Sequence, residues 1–437
     1  MRGIGVIGAL AAGFLASAGA QAAELSPEEQ AIAAHVDAAF EGEIAFLEKV
    51  VNINSGTMNH EGVRAVGAEF AKGFKEAGFK TEWAELPKAA NRAGHLIAKH
   101  KGETGNRVLL IGHLDTVFAK DGDFQTYSRE GNIASGPGVS DMKGGDVAVL
   151  YALKALKAAG ALDDARIEVV FTGDEEMPAQ PISVARKDLI EAARRADVAL
   201  NFEGGEKGIA VTARRGSSGW KLTTSGKRAH SSGIFSDEVG AGAVFEAARI
   251  LNGFYDDLST EEYLTFNPGV IVGGTDVAFD PEANRGSAFG KTNVVAQKVV
   301  VDGGLRFISE EQKEAARAKM REIVAAHLPQ TDAVIEFNDS YPAMTPTEGN
   351  KALLAVFSDV SEDLGLGPVE GNDPGKRGAA DVSFVAPIVK ASMDGLGVRG
   401  EGGHTPGETM EVDSLKEATL RAAILIYRLT RKDAPTF

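Results

Sequence analysis

Val108-Leu109-Leu110-Ile111-Gly112-His113-Leu114-Asp115 decides how the rest of the chain is organised. Four consecutive apolar residues with no polar alternation suit a strand buried on both faces, as in the middle of a parallel sheet. The histidine and aspartate that follow fall at the carboxyl end of that strand, where open α/β sheets bind ligands. Moving outward, Ile167–Thr172 and Val198–Phe202 are further short apolar strands, and Thr81–Leu86 and His95–His100 precede them. Helices are predicted over Val63–Ala77, Lys143–Ala159 and near Ser183–Arg194. Ser26-Pro27-Glu28-Glu29 is a capping box with Pro at the first helical position, opening a helix that runs to Val51. Strands alternating with helices predict an α/β domain: a mixed, largely parallel sheet flanked by helices.

The pattern changes near Ala213. Ser218–Ser225 alternates polar and apolar residues, as an antiparallel strand with one wet face does. A helix over roughly Glu238–Tyr255, strands at Gly269–Gly273 and Val294–Phe307 and a helix over Glu310–Ala326 complete an α+β sandwich. After about Gln330 the earlier character returns and ends in a helix near Leu415–Leu429. The expected organisation is a larger domain over 23–212 and 330–437 interrupted by an insertion over 213–329. Residues 1–22 have a different origin. Arg2, the apolar stretch Ile4–Ala18 and Ala20-Gln21-Ala22 form a signal peptide with an A-x-A cleavage site. That predicts an exported protein, periplasmic or secreted. No later stretch is long and apolar enough to predict a membrane span.

Lys and Arg number 46 against 62 Asp and Glu, a net charge of −16. A protein that neutralises phosphates needs the opposite sign, so nucleic acid is not an expected partner. The chain has no cysteine. Disulfides, thiolate zinc sites, iron–sulfur clusters and a cysteine nucleophile are all excluded, and a metal would have to be held by His, Asp and Glu. There is no G-x-S-x-G elbow of a serine hydrolase and no H-E-x-x-H helix of a mononuclear metalloprotease.

Five polar clusters sit at predicted strand ends or loop–helix junctions. In Gly112-His113-Leu114-Asp115, the carboxylate is spaced to support a metal-binding imidazole, although a hydrogen-bonded histidine is an equal reading. In Gly136-Pro137-Gly138-Val139-Ser140-Asp141-Met142-Lys143, glycines free a turn that projects Asp141, which alone reads more simply as a helix cap. Asp174-Glu175-Glu176 places three carboxylates behind an apolar strand, a costly arrangement unless cations compensate them. Glu203 closes another apolar strand, and His404 lies in the glycine-rich loop Gly402–Glu408; each alone suits an exposed loop residue. Together they form a set of hard and borderline donors suited to zinc, or to cobalt or manganese. Five such ligands can serve two metals if one carboxylate bridges them.

In series, the motifs H-x-D, G-x-x-D-x-K-G-G, D-E-E and the late G-x-H resemble the co-catalytic di-zinc amidohydrolases. That family includes aminoacylase, succinyl-diaminopimelate desuccinylase and the bacterial glutamate carboxypeptidases, the last being the most similar. The resemblance implies the zinc exopeptidase fold and two zinc ions per subunit. It implies that His113 and Glu203 hold the first zinc, that Asp141 bridges, and that Glu176 and His404 hold the second. Glu175 would be the general base and Asp115 would orient His113. The insertion would serve as lid and homodimerisation domain. His230 would reach the neighbouring subunit's active site, and Asn293 and Arg306 would contact substrate, Arg306 receiving its carboxylate. The stretch Gly378-Ala379-Ala380-Asp381 departs from the commoner pattern near the substrate pocket. The implied activity releases a C-terminal amino acid, glutamate being one candidate, from peptides or N-acyl amino acids. An N-acyl-amino-acid deacylase or dipeptidase of apolar preference is the alternative within the class. A catalytically inactive peptide-binding protein is the alternative outside it.

Overall fold

A computed structural model describes residues 25–437 except 282. The signal peptide expected over 1–22 lies outside the described residues. The central sheet has six strands in the spatial order Lys80–Ala84, His95–His100, Ala165–Thr172, Thr104–His113, Val198–Asn201, Ala391–Met393. The first two pair antiparallel, and His95–His100 runs antiparallel to Ala165–Thr172. The remaining pairs are parallel. The architecture is the mixed, largely parallel α/β sheet that the apolar runs predict.

Two-sided burial follows from the two-residue period of a strand. Val108 and Leu110 enter the core built with the helices Pro27–Val51, Lys143–Ala158 and Val412–Thr430. Leu109 and Ile111 enter the opposite core, with Leu189, Ala192, Val382 and Val385. None of the four strand residues exceeds 1% exposure. The helix predicted near Ser183–Arg194 is broken into Ile182–Ala185 and Lys187–Ala193 at Arg186, whose buried side chain turns inward to two carboxylates described below.

A second sheet has four antiparallel strands in the order Thr265–Gly274, Lys298–Phe307, Gly216–Gly226, Thr331–Asp339. The helices Gly242–Leu258 and Glu310–Ala325 cover one face, around Trp220, Leu222, Ile250, Phe254 and Met320. The boundary expected at 329 is too early. Thr331–Asp339 pairs with Gly216–Gly226 from Thr331↔Gly226 to Asp339↔Ser218, so this unit extends to Asp339. The physical reason is alternation. Ala333, Ile335 and Phe337 pack on the helix-covered core, while Asp332, Val334 and Glu336 are exposed. A hairpin, Asp276–Asp280 with Arg285–Phe289, was also not expected from the sequence. Among the described residues no helix is long and apolar enough to cross a membrane.

One buried acid gives the larger domain a pH signature. Glu43, on the helix Pro27–Val51, is fully buried, and Thr419 from the C-terminal helix hydrogen-bonds its Oε1 while Oε2 has no partner. Burial pushes its pKa from 4.5 up to about 8, with the Thr419 hydrogen bond opposing only part of that. The neutral form is the one that fits, so its contribution is complete below the unfolded pKa and is lost as pH rises through about 8. The expected loss is on the order of 4 kcal/mol. Between pH 5 and pH 9, urea unfolding should therefore shift in favour of Glu43→Gln over wild type by about that amount. A difference between the two proteins that does not change with pH would refute this account.

Candidate active site

The carboxyl ends of the parallel strands converge on one cleft. His113 ends its strand, Asp174–Glu176 follow Thr172, and Glu203 follows Asn201. Asp141 stands in the turn before the helix Lys143–Ala158, and His404 arrives on the Gly402–Glu408 loop. The backbone of His404 is left-handed, with φ 65°, where histidine is better tolerated than most side chains.

His113 Nδ1 lies 3.0 Å from the backbone carbonyl oxygen of Asp115. A carbonyl only accepts, so Nδ1 carries the proton and Nε2 faces the cleft. There Nε2 is 3.3 Å from Asp141 Oδ1 and 3.6 Å from Glu203 Oε1. His404 Nε2 lies 3.0 Å from Asp141 Oδ2 and 3.1 Å from Glu176 Oε2. Asp141 therefore stands between two imidazoles, one on each oxygen. All five expected metal ligands are brought together, and Glu175 joins His113 and Glu203 in a cluster whose donor atoms lie within 4.8 Å of one another.

Asp115 meets His113 Nδ1 by its carbonyl at 3.0 Å and by its carboxylate at 3.5 Å. The carboxylate also accepts from the backbone N–H groups of Glu175, at 3.0 Å, and Glu176, at 3.2 Å, and from Thr57 Oγ1 at 2.6 Å. It fixes the segment that carries both glutamates.

The donor chemistry passes a test for cations. Burial is the largest cause pushing Glu175 to about 7, Glu176 to about 8 and Glu203 well above the usual carboxylate range; neighbouring carboxylates push the same way and His113 opposes them. His404 is pushed to about 9, first by its hydrogen bond to Asp141. Burial works against a charge on His113, but Asp115, Asp141 and Glu203 together hold its pKa well above the ordinary value. Protons are thus drawn onto the imidazoles and carboxylates in the place that dications would fill.

Several contributors were not legible from the motifs. Glu408 is fully buried and accepts from the N–H groups of Gly138, Ser140 and Asp141 at 2.8–2.9 Å, and from Ser140 Oγ. One carboxylate thereby ties the His404 loop to the Asp141 turn. The third carboxylate of the acidic triplet, Asp174, pairs with Arg186 Nη1 at 2.6 Å, and Arg186 Nε pairs with Asp381 at 2.5 Å. Asp381 also accepts from Thr172 Oγ1. Asp174 is thus compensated by an arginine inside the protein. Arg214 is buried against Asp394 at 2.6 Å, so its charge is spent within the fold.

The cleft has a volume of about 490 Å³ and is lined by Asp141, Glu175, Glu176, Glu203 and His404, with Arg214, Arg377, Ala379 and Ala380 on its wall. His230, Asn293 and Arg306 do not line it. All three are exposed on the second sheet domain. His230 and Asn293 are neighbours there, the Ser231 N–H donating to the Asn293 carbonyl at 2.9 Å. Arg306 stands beside Arg215, whose charge, after partial burial, lowers its pKa.

Residues 109–428 match the sequence profile of peptidase family M20/M25/M40. The chain belongs to that family. It is similar to carboxypeptidase G2 of Pseudomonas sp. (strain RS-16), at 28% identity over 88% of this chain and 89% of that protein. Aminopeptidase PepT of Bacillus cereus has the same fold, with TM-score 0.69 and 19% identity over 89% of this chain and 98% of PepT. So does a Bacillus subtilis protein described as a dinuclear metal-binding peptidase from the M20 family, with TM-score 0.62 and 14% identity over 90% and 98% of the two chains. The M20 chain is accordingly a hydrolase of the metallo-carboxypeptidase and amidohydrolase type.

Glu408 offers the sharpest test of the cleft as a metal centre. Residues that orient metal ligands typically contribute ~10–100-fold in metal affinity. Glu408→Gln should weaken dication binding by about that factor while leaving far-UV circular dichroism unchanged. Competition against a chromophoric chelator measures it, and an unaltered affinity would remove Glu408 from the site.

Proposed function

We propose that this M20 protein is an exported di-zinc carboxypeptidase or N-acyl-amino-acid amidohydrolase that releases a C-terminal amino acid, preferentially glutamate. The observation that carries the reading is the five-donor cluster around Asp141 with a further carboxylate, Glu175, beside it and free of any paired cation. Asp141 would be shared between two metals, His113 and Glu203 completing one set and Glu176 and His404 the other. Zinc suits imidazole and carboxylate donors, with cobalt or manganese as substitutes. When bound, two such ions polarise the scissile carbonyl and acidify water at neutral pH.

The remaining steps belong to the chain's own residues. Glu175 would take a proton from the attacking water and return it to the leaving nitrogen. Its place beside His113 and Glu203 in the donor cluster suits both tasks. Asp115 fixes the backbone on which Glu175 and Glu176 sit. His230 and Asn293 would complete the site from the second sheet domain, across a homodimer or by domain closure. Their exposure away from the cleft is consistent with that, and His230 would then donate to the developing oxyanion. Arg306 would receive the substrate's α-carboxylate. Arg215 beside it bonds the neutral Thr265 hydroxyl and Gly375 carbonyl, and neither guanidinium has a carboxylate partner among the described residues. Two uncompensated guanidinium groups favour a leaving residue with a second carboxylate, which supports glutamate over an apolar residue.

Two measurements test this. Glu175→Gln should retain two dications per chain and lose ~10²–10⁴-fold in kcat; full turnover in that variant would exclude it as the proton carrier. Zinc-loaded protein should cleave N-acetyl-glutamate and N-acetyl-aspartate faster than N-acetyl-leucine, and a chelator should abolish cleavage. Substrates amidated at the C-terminus should resist. A preference for leucine would make the enzyme an apolar deacylase, and no cleavage with both metals bound would overturn the amidohydrolase reading.

A further inference from the structure

The metal centre has a second, quite different neighbour. Beside the cleft, and sharing only Glu176 with it, lies a groove of about 420 Å³, within the ~300–1,000 Å³ typical of small-ligand sites. Met58, Val117 and Met177 line it, with the exposed Lys120 and Asp121. The three wall residues are 51%, 40% and 52% exposed. Apolar side chains grouped in a concavity beside an active site mark a binding surface more often than an accident of composition.

Two observations join the groove to the chemistry. Glu176, an expected metal ligand, lines both the groove and the arginine-bearing cleft. The groove floor is also the support of the catalytic segment: Thr57, which lines it, donates to Asp115, and Asp115 holds Glu175 and Glu176. That floor is fixed by backbone pairing, Thr57 N–H to the Thr116 carbonyl at 3.1 Å and Thr116 N–H to the Ser55 carbonyl at 3.0 Å. Met177 is anchored by its carbonyl, which accepts from Arg92 Nε at 2.6 Å.

We infer that this groove is the acyl subsite, and that it takes an aliphatic acyl group of the substrate. The inference rests on the amidohydrolase reading above. A leaving residue seated in the cleft, where Arg377 has no carboxylate partner among the described residues, leaves the acyl side of the scissile bond to the groove that shares Glu176 with that cleft. No aromatic ring lines the groove, and its two methionines are unbranched and adaptable, so they follow a flexible chain better than they grip a planar ring.

The test is a series of N-acyl-glutamates from acetyl through butanoyl and hexanoyl to octanoyl, with the zinc-loaded full chain. The expected result is a rise in kcat/KM of about fourfold per added methylene, carried by KM, until the chain outgrows the groove. Met58→Asp and Val117→Asp should each lower the octanoyl-to-acetyl ratio of kcat/KM at least tenfold with two dications still bound, while Met58→Leu preserves the ratio. A series that is flat or falls with chain length, with glutamate still released, overturns the groove and leaves the amidohydrolase intact. No glutamate released from any member, with both metals bound, overturns both.

Discussion

The constraint on which the site depends is the gathering of negative charge at the buried ends of parallel strands. A carboxylate removed from water is costly unless something positive or several N–H groups meet it. The fold answers this separately for most of these acids. Arg186 is shared between Asp174 and Asp381. Arg214 neutralises Asp394. Asp115 and Glu408 are met by backbone N–H and hydroxyl donors. Asp141, Glu176 and Glu203 are left with imidazoles alone. The acids met only by imidazoles outline the place for metal, whereas Asp146, buried with neither oxygen hydrogen-bonded, has its pKa raised well above the usual carboxylate range by burial.

The same accounting explains the division of the surface around the metals. The cleft lining includes arginines, and the groove lining includes methionine and valine. The exopeptidase proposed above would use such asymmetry, because both sides of the scissile bond are bound at once and only one would be charged.

Much of this was legible in the sequence, and the limits are physical. The apolar run Val108–Ile111 was legible as a doubly buried strand because it is short and aliphatic, begins and ends with a β-branched residue and stops at Gly112. His113, Glu175, Glu176 and Glu203 were legible because each follows an apolar strand directly. Glu408 was not, although it lies only four residues beyond His404: its partners are the backbone of Gly138–Asp141, some 270 positions away, and backbone donors carry no sequence signature. Arg186 and Asp381 escaped for the same reason, being separated by 195 positions. The strand Thr331–Asp339 was missed because its alternation of Ala333, Ile335 and Phe337 is weak and follows a proline turn. His230, Asn293 and Arg306 came from family resemblance alone, and their places on the second domain could not be read from periodicity.

Donor geometry at such a site is finally a matter of how closely the backbone segments approach. A Cβ at Gly145 would meet the Phe202 carbonyl oxygen at 2.0 Å, so the helix that follows Asp141 rests directly on the strand end that carries Glu203. A Cβ at Gly112 would meet Asp146 Oδ1 at 1.9 Å, so the same helix presses on the residue before His113. Any side chain at either position would have to push the Asp141 turn away from its two neighbours, and a displacement near 1 Å is enough to misplace a ligand. Gly145 of G-x-x-D-x-K-G-G and Gly112 before H-x-D therefore belong to the metal site as much as the ligands do. Their contribution is the absence of an atom, which lets three ligands from three segments share one small volume.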